Sequence, residues 1–235
     1  MGHLIDKMAN AHGIEIVSRI DPFLLKNEIN KDSVANADVC IEFSQPDSAV
    51  QNIKKLIELK KNVVVGTTGW VSHLDEIKEL TQKSQTGFIY SSNFSLGMNI
   101  FFKIVDYTTK LTSKIQDYDI YGLEKHHRQK MDSPSGTAKV LTNIVLKNSS
   151  IKDTAQFDKV DRKIKENEFH FASIRVGHIF GEHIIGLDSS ADQMTLSHQL
   201  KNRSGLAMGT ILATKWIVNK KGFYNFSEIF EDIIL

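Results

Sequence analysis

Apolar positions follow two alternating rhythms through the first hundred residues. In "HLIDKMANA", Leu4, Ile5, Met8 and Ala9 share one helical face, and Gly13 stops the pattern. "IEIVSRI" then reads as a strand ending at Asp21. "ADVCIEFS" is almost continuously apolar, as strands buried on both faces are. It leads into "QPDSAVQNIKKLIELKK", where Ala49, Val50, Ile53, Leu56 and Ile57 repeat at helical spacing behind an Asp/Ser cap. "NVVVGTTG" predicts another buried strand with a glycine turn, "VSHLDEIKELTQKS" a helix, and "GFIYSSNF" the next strand. Strand and helix alternating at this pace predict an α/β fold, a doubly wound parallel sheet with right-handed crossovers.

After "SLGMNIFFKIVDYTTKLTSKI", a predicted helix, the rhythm changes. "DYDIYGLEKHH", "EFHFASIRV", "GEHIIGLDS" and "DQMTLSHQL" alternate apolar and polar positions, and three of them follow one another without a helix. That pattern predicts a separate α+β domain with an antiparallel or mixed sheet, into which "PSGTAKVLTNIVLK" inserts one helix. "GLAMGTILATKWIVNK" predicts a closing helix, followed by a short tail.

The bulk numbers narrow the class. Apolar residues make up 41% and charged ones 24% of 235 residues, the balance of a globular chain. Lys and Arg total 29 against 28 acids, so no net charge draws the protein to nucleic acid or an anionic membrane. No apolar run has the length of a membrane span, and the opening residues are unlike a signal peptide, which predicts a cytoplasmic protein. The single cysteine, Cys40, lies in an apolar run and reads as a buried thiol rather than a disulfide or metal ligand. His178 and His183 sit in alternating segments without carboxylate or cysteine partners at ligand spacing, so no metal site is expected.

Candidate chemistry gathers at two places. In doubly wound sheets ligands sit beyond the carboxyl ends of the strands, and three such ends here are small or polar: "FSQP", "GTTG" and "SSNFS". Gly66 and Gly69 permit close approach of a ligand, while Thr67, Thr68, Ser91, Ser92 and Asn93 offer hydrogen-bonding groups. Ordinary turns use the same residues, but three successive ends of this kind favour a cofactor crevice. Asp21 follows Gly2 by 19 positions, close to the spacing at which an acid bonds the ribose of a dinucleotide; a turn-starting Asp before Pro22 is an equal reading.

The second place is "EKHHRQKMDSPSGTA", residues 124–138. "PSGTA" opens a helix whose first N–H groups favour an anion such as a carboxylate. Lys130 adds positive charge, and His126 and His127 offer imidazoles, the side-chain type whose unperturbed titration lies near neutral pH. The bland alternative is a pair of surface histidines before an ordinary cap.

This stretch resembles the dihydrodipicolinate (4-hydroxy-tetrahydrodipicolinate) reductase family throughout its Glu-x-His-His-x-x-Lys-x-Asp-x-Pro-Ser-Gly-Thr-Ala signature, and "GTTG" and "NFSLGMN" match further family segments. The resemblance implies a Rossmann-like domain over 1–97 and 206–235 that binds NADH or NADPH. It also implies an inserted domain over 98–205 that binds a cyclic dicarboxylate and supports a homotetramer. The implied reaction, in the diaminopimelate route of lysine biosynthesis, is hydride transfer to a conjugated imine followed by protonation. By position, His126 falls on the acid/base and Lys130 on the proton donor. His127, Ser135, Gly136 and Thr137 fall on substrate contacts. Met1, Gly2, Gly66, Thr67, Thr68, Ser91, Ser92, Asn93 and Phe94 fall on cofactor contacts, with Phe43 beside the nicotinamide.

Two departures shape further expectations. The family's first strand and most of its glycine loop have no counterpart before Met1, from which an upstream extension of roughly ten residues is expected. Pro22 stands where many members carry an arginine after the acid, which favours NADH, although Arg19 or Lys26 could ease a 2′-phosphate. The rival readings are another two-domain amino-acid or imine dehydrogenase, and a non-catalytic dicarboxylate-binding relative.

Overall fold

The computed structural model describes residues 1–25 and 27–235, so Lys26 lies outside the described residues. The chain divides into two compact units, Met1–Leu96 with Arg203–Leu235, and Gly97–Asn202.

The first unit is a parallel sheet of β1 (Val39–Glu42), β2 (Asn62–Val65), β3 (Gly87–Tyr90) and β9 (Gly222–Asn225), in that order. The apolar runs are continuous because helices cover both faces. Val63 and Val65 of β2 point toward α2 (Pro46–Glu58) and α3 (Leu74–Ser84), against Ile53, Ile57 and Ile77. Val64 and Ile89 face Ala213 and Ile217 of α6 (Ser204–Ile217). The α1 helix (Gly2–Ala9) rests Ile5 against Ala207 and Ile211 of α6, and its chain turns at Gly13. The doubly wound α/β expectation is met.

Two local expectations are not. Residues 14–20 form no strand, although Ile14, Ile16, Ser18 and Ile20 are half-buried and the residues between them exposed, so the period-two pattern is real. A strand needs a hydrogen-bonding partner as well as a pattern. Here β1 is the outer strand of the sheet, paired on one side with β2, and 14–20 is held instead by Ile14 N–H to Ala9 O (3.0 Å) and by the Arg19–Asp6 pair. The segment read as a short tail is also structured: "GFYN" is β9, and Phe230–Ile234 forms α7, with Phe226 and Phe230 in the core beneath α6.

The second unit is a five-stranded mixed sheet ordered β5 (Thr154–Gln156), β6 (Glu168–Arg175), β4 (Asp119–His126), β7 (Glu182–Asp188) and β8 (Gln193–Gln199). β4 runs parallel to β6 and antiparallel to β7. Both helices, α4 (Leu96–Thr112) and α5 (Gly136–Asn148), lie on one face, where Phe101, Val105, Leu141 and Val145 cover Ile120, Phe169, Phe171, Ile185 and Leu187. Toward the carboxyl end of β4 the same face turns from apolar to polar, and this change places the site.

Candidate active site

The sheet register assembles one polar row across four strands. Glu124 of β4 lies opposite Ser173 of β6 and His183 of β7, and His183 lies opposite His198 of β8. One row further along, His126 lies opposite Arg175. Strand alternation puts all six on the face that carries the core, so the polar row continues the apolar one below it.

Glu124 is fully buried, and donors from β6 and the start of α5 hold it. Oε1 accepts from Ser135 N–H (3.0 Å), Ser173 Oγ (2.9 Å) and Arg175 Nη2 (3.0 Å), and Oε2 accepts from Ser135 Oγ. Burial alone would raise this carboxyl. Hydrogen bonds from His183, Ser135, Arg175 and Ser173 outweigh it and hold Glu124 well below the usual carboxylate range. Glu124 is therefore an anion near neutral pH.

The α5 helix begins where this network ends. Ser135 is its N-cap: Oγ accepts from Ala138 N–H (3.1 Å), and its carbonyl accepts from Lys139 N–H (3.0 Å). Gly136 and Thr137 form the first turn ahead of that ladder, where a helix favours negative charge. His126 is buried, with Nδ1 3.4 Å from Glu124 Oε2. Burial pulls its imidazole down to about 4; Glu124 opposes the shift, and His183, Lys130 and Arg175 add to it. The ring is thus neutral near pH 7. Lys130 pairs with Asp132 at 2.7 Å, and its N–H donates to His127 O (3.1 Å), which keeps the amine in the same loop as the histidines. His127 is half-buried and donates its backbone N–H to Ile179 O (2.7 Å). The 124–138 stretch thus brings His126, His127, Lys130, Ser135, Gly136 and Thr137 to one end of the sheet.

Sequence reasoning missed His183, Arg175 and Ser173. The reading that His183 lacks a carboxylate partner is corrected: its Nε2 stands 3.5 Å from Glu124 Oε2 and 3.3 Å from Ser135 Oγ. These partners meet through strand register and are 59 and 48 positions apart in sequence, so no local spacing reveals them. Glu124, His126 and His183 also place ligand atoms within 4.8 Å of one another, a metal-like grouping. Glu124 is already saturated by donors, however, and the Arg175 guanidinium at 3.0 Å would repel a divalent cation. The arrangement is that of a hydrogen-bonded charge network.

In the first unit, the carboxyl ends of β1, β2 and β3 lie side by side and carry Phe43, Gly66–Thr68 and Ser91–Phe94. Gly66 leaves room for the Phe43 ring there, because a Cβ would sit 2.1 Å from its carbons and make the ring shift. Thr67 is buried, and its Oγ1 has no partner among the described residues, so it suits a ligand group that donates or accepts. Thr68 and Ser92 are exposed. Ser91 Oγ bonds Asn93 O (2.9 Å), Asn93 Oδ1 accepts from Ser95 N–H (2.9 Å), and Phe94 is buried against Phe226. Met1 caps α1, and Gly2 is exposed at its start. Asp21 Oδ1 accepts from Phe23 and Leu24 N–H, both at 2.9 Å, so this carboxylate also caps its own turn. Glu42, at the end of β1, was not anticipated; it is buried, bonded by Ser44, with Oε2 unpartnered among the described residues. These groups fit a polar nucleotide-like ligand along the sheet edge.

A parallel α/β unit with receptive strand ends, joined in one chain to a mixed-sheet unit carrying a histidine, lysine and helix-end site, defines a two-domain oxidoreductase. The chain belongs to the dihydrodipicolinate reductase family: "Dihydrodipicolinate reductase, N-terminus" matches residues 1–94, and "Dihydrodipicolinate reductase, C-terminus" matches 97–230. It is 32% identical over 233 residues to 4-hydroxy-tetrahydrodipicolinate reductase of Christiangramia forsetii, covering 99% of this chain and 95% of that one. It is 35% identical to the protein of that name from Archaeoglobus fulgidus, covering 98% and 96%. Its fold matches dipicolinate-bound dihydrodipicolinate reductase from Paenisporosarcina sp. TG-14, with a TM-score of 0.74, 20% identity, and 97% and 94% of the two chains covered. An amine dehydrogenase from Mycobacterium smegmatis shares the fold more distantly, with a TM-score of 0.54 and 9% identity over 95% and 91% of the chains.

Proposed function

We propose that this protein reduces 4-hydroxy-tetrahydrodipicolinate to tetrahydrodipicolinate with NADH or NADPH, in the diaminopimelate route to lysine. The carrying observation is the buried end of the mixed sheet, where neutral His126, cationic Lys130 and the N-terminus of α5 belong to one network. In this reading the bound nicotinamide supplies hydride to the conjugated imine. The first turn of α5, at Ser135–Thr137, holds one substrate carboxylate by backbone N–H groups, the Thr137 hydroxyl and the helix dipole. His127 stands beside it. Lys130 delivers the proton to the carbon next to the reduced centre, and His126 orients the substrate as a neutral imidazole. Met1, Gly2, Asp21, Phe43, Gly66, Thr67, Thr68 and Ser91–Phe94 would hold the nucleotide in the parallel unit.

NADH is the preferred cofactor in this reading. The Asp21 carboxylate would repel a 2′-phosphate, and Arg19, the nearby cation that could offset it, is already engaged by Asp6 at 2.7 and 2.9 Å. The face of the mixed sheet opposite its helices exposes Tyr121, Ile174 and neighbouring residues, which supports a homotetramer assembled through it. No helix of the described residues is long and apolar enough to cross a membrane, which accords with a cytoplasmic enzyme acting on a small acid. The test couples this chain to the upstream synthase and follows NADH oxidation. Absence of synthase-dependent oxidation by folded protein at saturating cofactor refutes the reading.

A further inference from the structure

We propose that Glu124 is a positioning residue that fixes the His126 tautomer, holding the hydrogen on Nδ1 so that Nε2 faces the substrate as an acceptor. The proposal rests on the placement of the substrate site at the α5 end of the mixed sheet.

Glu124 Oε1 accepts from a backbone N–H of Ser135, the Ser173 hydroxyl and the Arg175 guanidinium, at 3.0, 2.9 and 3.0 Å, and the first and last of these can only donate. Its Oε2 accepts from Ser135 Oγ and faces two imidazoles, His126 Nδ1 at 3.4 Å and His183 Nε2 at 3.5 Å. His126 Nδ1 makes no aligned hydrogen bond at that distance, so the preference is electrostatic: a buried anion favours a nearby N–H over a bare nitrogen lone pair. With His126 neutral, one hydrogen is available to its ring, and the Glu124 side claims it. The bare nitrogen is then Nε2. A carboxylate behind a histidine sets the tautomer of catalytic imidazoles by the same logic on unrelated folds.

The other charged and titratable groups facing this ring are His183, Lys130 and Arg175. Lys130 and Arg175 are cations whose field also disfavours a second proton. His183 meets His126 edge to face, with ring centroids 5.1 Å apart, and shares the same carboxylate oxygen. Gly181 completes the enclosure: a Cβ there would lie 3.0 Å from His126 Nε2. A purely structural buried carboxylate would have no need to address the catalytic ring, and removing its charge would leave the tautomer where it was.

Glu124→Gln separates the two. The Ser135 N–H and the Arg175 guanidinium on the Oε1 side require the amide oxygen there, so the NH₂ group must face the imidazoles. His126 Nδ1 then becomes the acceptor, and the hydrogen moves to Nε2. The experiment uses the full chain labelled with ¹⁵N-histidine, with long-range ¹H–¹⁵N spectra reporting the tautomer and His126→Gln assigning the resonance. Expected are the Nδ1–H form in the unsubstituted protein and the Nε2–H form in Glu124→Gln, with kcat lowered ~10²–10⁴-fold and NADH affinity unchanged. An Nε2–H form in the unsubstituted protein overturns the proposal. So does a Glu124→Gln protein that keeps both its tautomer and its kcat. If Glu124→Gln does not fold, the unsubstituted spectrum still decides the tautomer, and Arg175→Lys supplies the perturbation. That variant keeps the charge but loosens Glu124, and it should broaden or split the His126 resonance; one sharp, unmoved resonance counts against the proposal. Binding of dipicolinate, measured by calorimetry, is read in parallel. If the unsubstituted protein neither binds it nor reduces substrate, the functional reading fails, while the tautomer result stands by itself.

Discussion

His126 and His183 meet edge to face, their ring centroids 5.1 Å apart, on one oxygen of the buried Glu124. Two imidazoles sharing one carboxylate, inside a wall that includes Arg175 and Lys130, leave little room for further positive charge. This is the physical reason His126 resists protonation: burial is the largest cause, the neighbouring cations reinforce it, and Glu124 offsets only part.

That resistance makes the fold acid-sensitive in a definite window. His126 has an ordinary value of 6.5 and is held at about 4 in the native protein. Between these values the unfolded chain binds a proton that the folded chain does not, so stability falls as pH drops from 6.5 toward 4. Glu124, depressed below its ordinary 4.5, adds loss in the same direction at lower pH. Thermal unfolding should show a clear decrease in Tm from about pH 7 to pH 5, and the decrease should be smaller in His126→Gln. Equal decreases in the two proteins would mean that His126 titrates normally.

Gly181 should be intolerant of a side chain for a reason specific to the site. In Gly181→Ala the new methyl would stand 3.0 Å from His126 Nε2 and 3.3 Å from Cδ2, forcing the ring to shift. The contact asks the ring to give by a few tenths of an ångström, less than the displacement on the order of 1 Å that costs up to ~10²-fold, so kcat should fall several-fold while NADH affinity holds. Steady-state kinetics with fluorescence titration of NADH checks this. Unchanged kcat would show that the ring has space the geometry denies it.

The sequence made the element types and the 124–138 cluster legible because both depend on short-range signals. Ala49, Ile53 and Ile57 mark one face of α2 by spacing alone, and Ser135 announces its helix by type. What stayed hidden depends on pairing between distant segments. The pattern of Ile14, Ile16 and Ile20 reads as a strand, yet β1 pairs only with β2 and leaves that segment unladdered. Gly222–Asn225 has only two apolar residues between a glycine and an asparagine, and becomes a strand because β3 offers it an edge. His183, Ser173 and Arg175 reach Glu124 only through sheet register. Asp132 is the exception: it sits two residues from Lys130, and their pairing was within reach of the sequence.

The assigned roles of Lys130 and Thr137 predict different kinetic signatures. Proton delivery is needed only in the transition state, so Lys130→Ala should lower kcat by ~10²–10⁴-fold with little change in KM. Thr137 lies in the turn assigned to a substrate carboxylate, a contact present in ground and transition states alike. Thr137→Val should therefore raise KM about tenfold, the size of one hydrogen bond to a charged group, and leave kcat nearly intact. Lys130→Ala with unaltered kcat/KM would remove Lys130 from the mechanism.

Cofactor preference should be adjustable at a distance from Asp21. Arg19 donates to both oxygens of Asp6, at 2.7 and 2.9 Å; the arginine is exposed and the aspartate half-exposed. While that pair holds, the guanidinium is committed to α1 and is poorly placed to neutralise a 2′-phosphate beside Asp21. Asp6→Asn removes the competing charge and releases Arg19 without touching strand, loop or substrate site. Exposed ion pairs are worth at most ~1 kcal/mol, so the expected change is modest: kcat/KM for NADPH relative to NADH should rise about fivefold. The rise should shrink as salt is added, because screening weakens an exposed contact to phosphate. A ratio unmoved by Asp6→Asn at low salt would mean that Arg19 lies outside the ribose site. A salt-insensitive rise would point instead to a change in the set of α1.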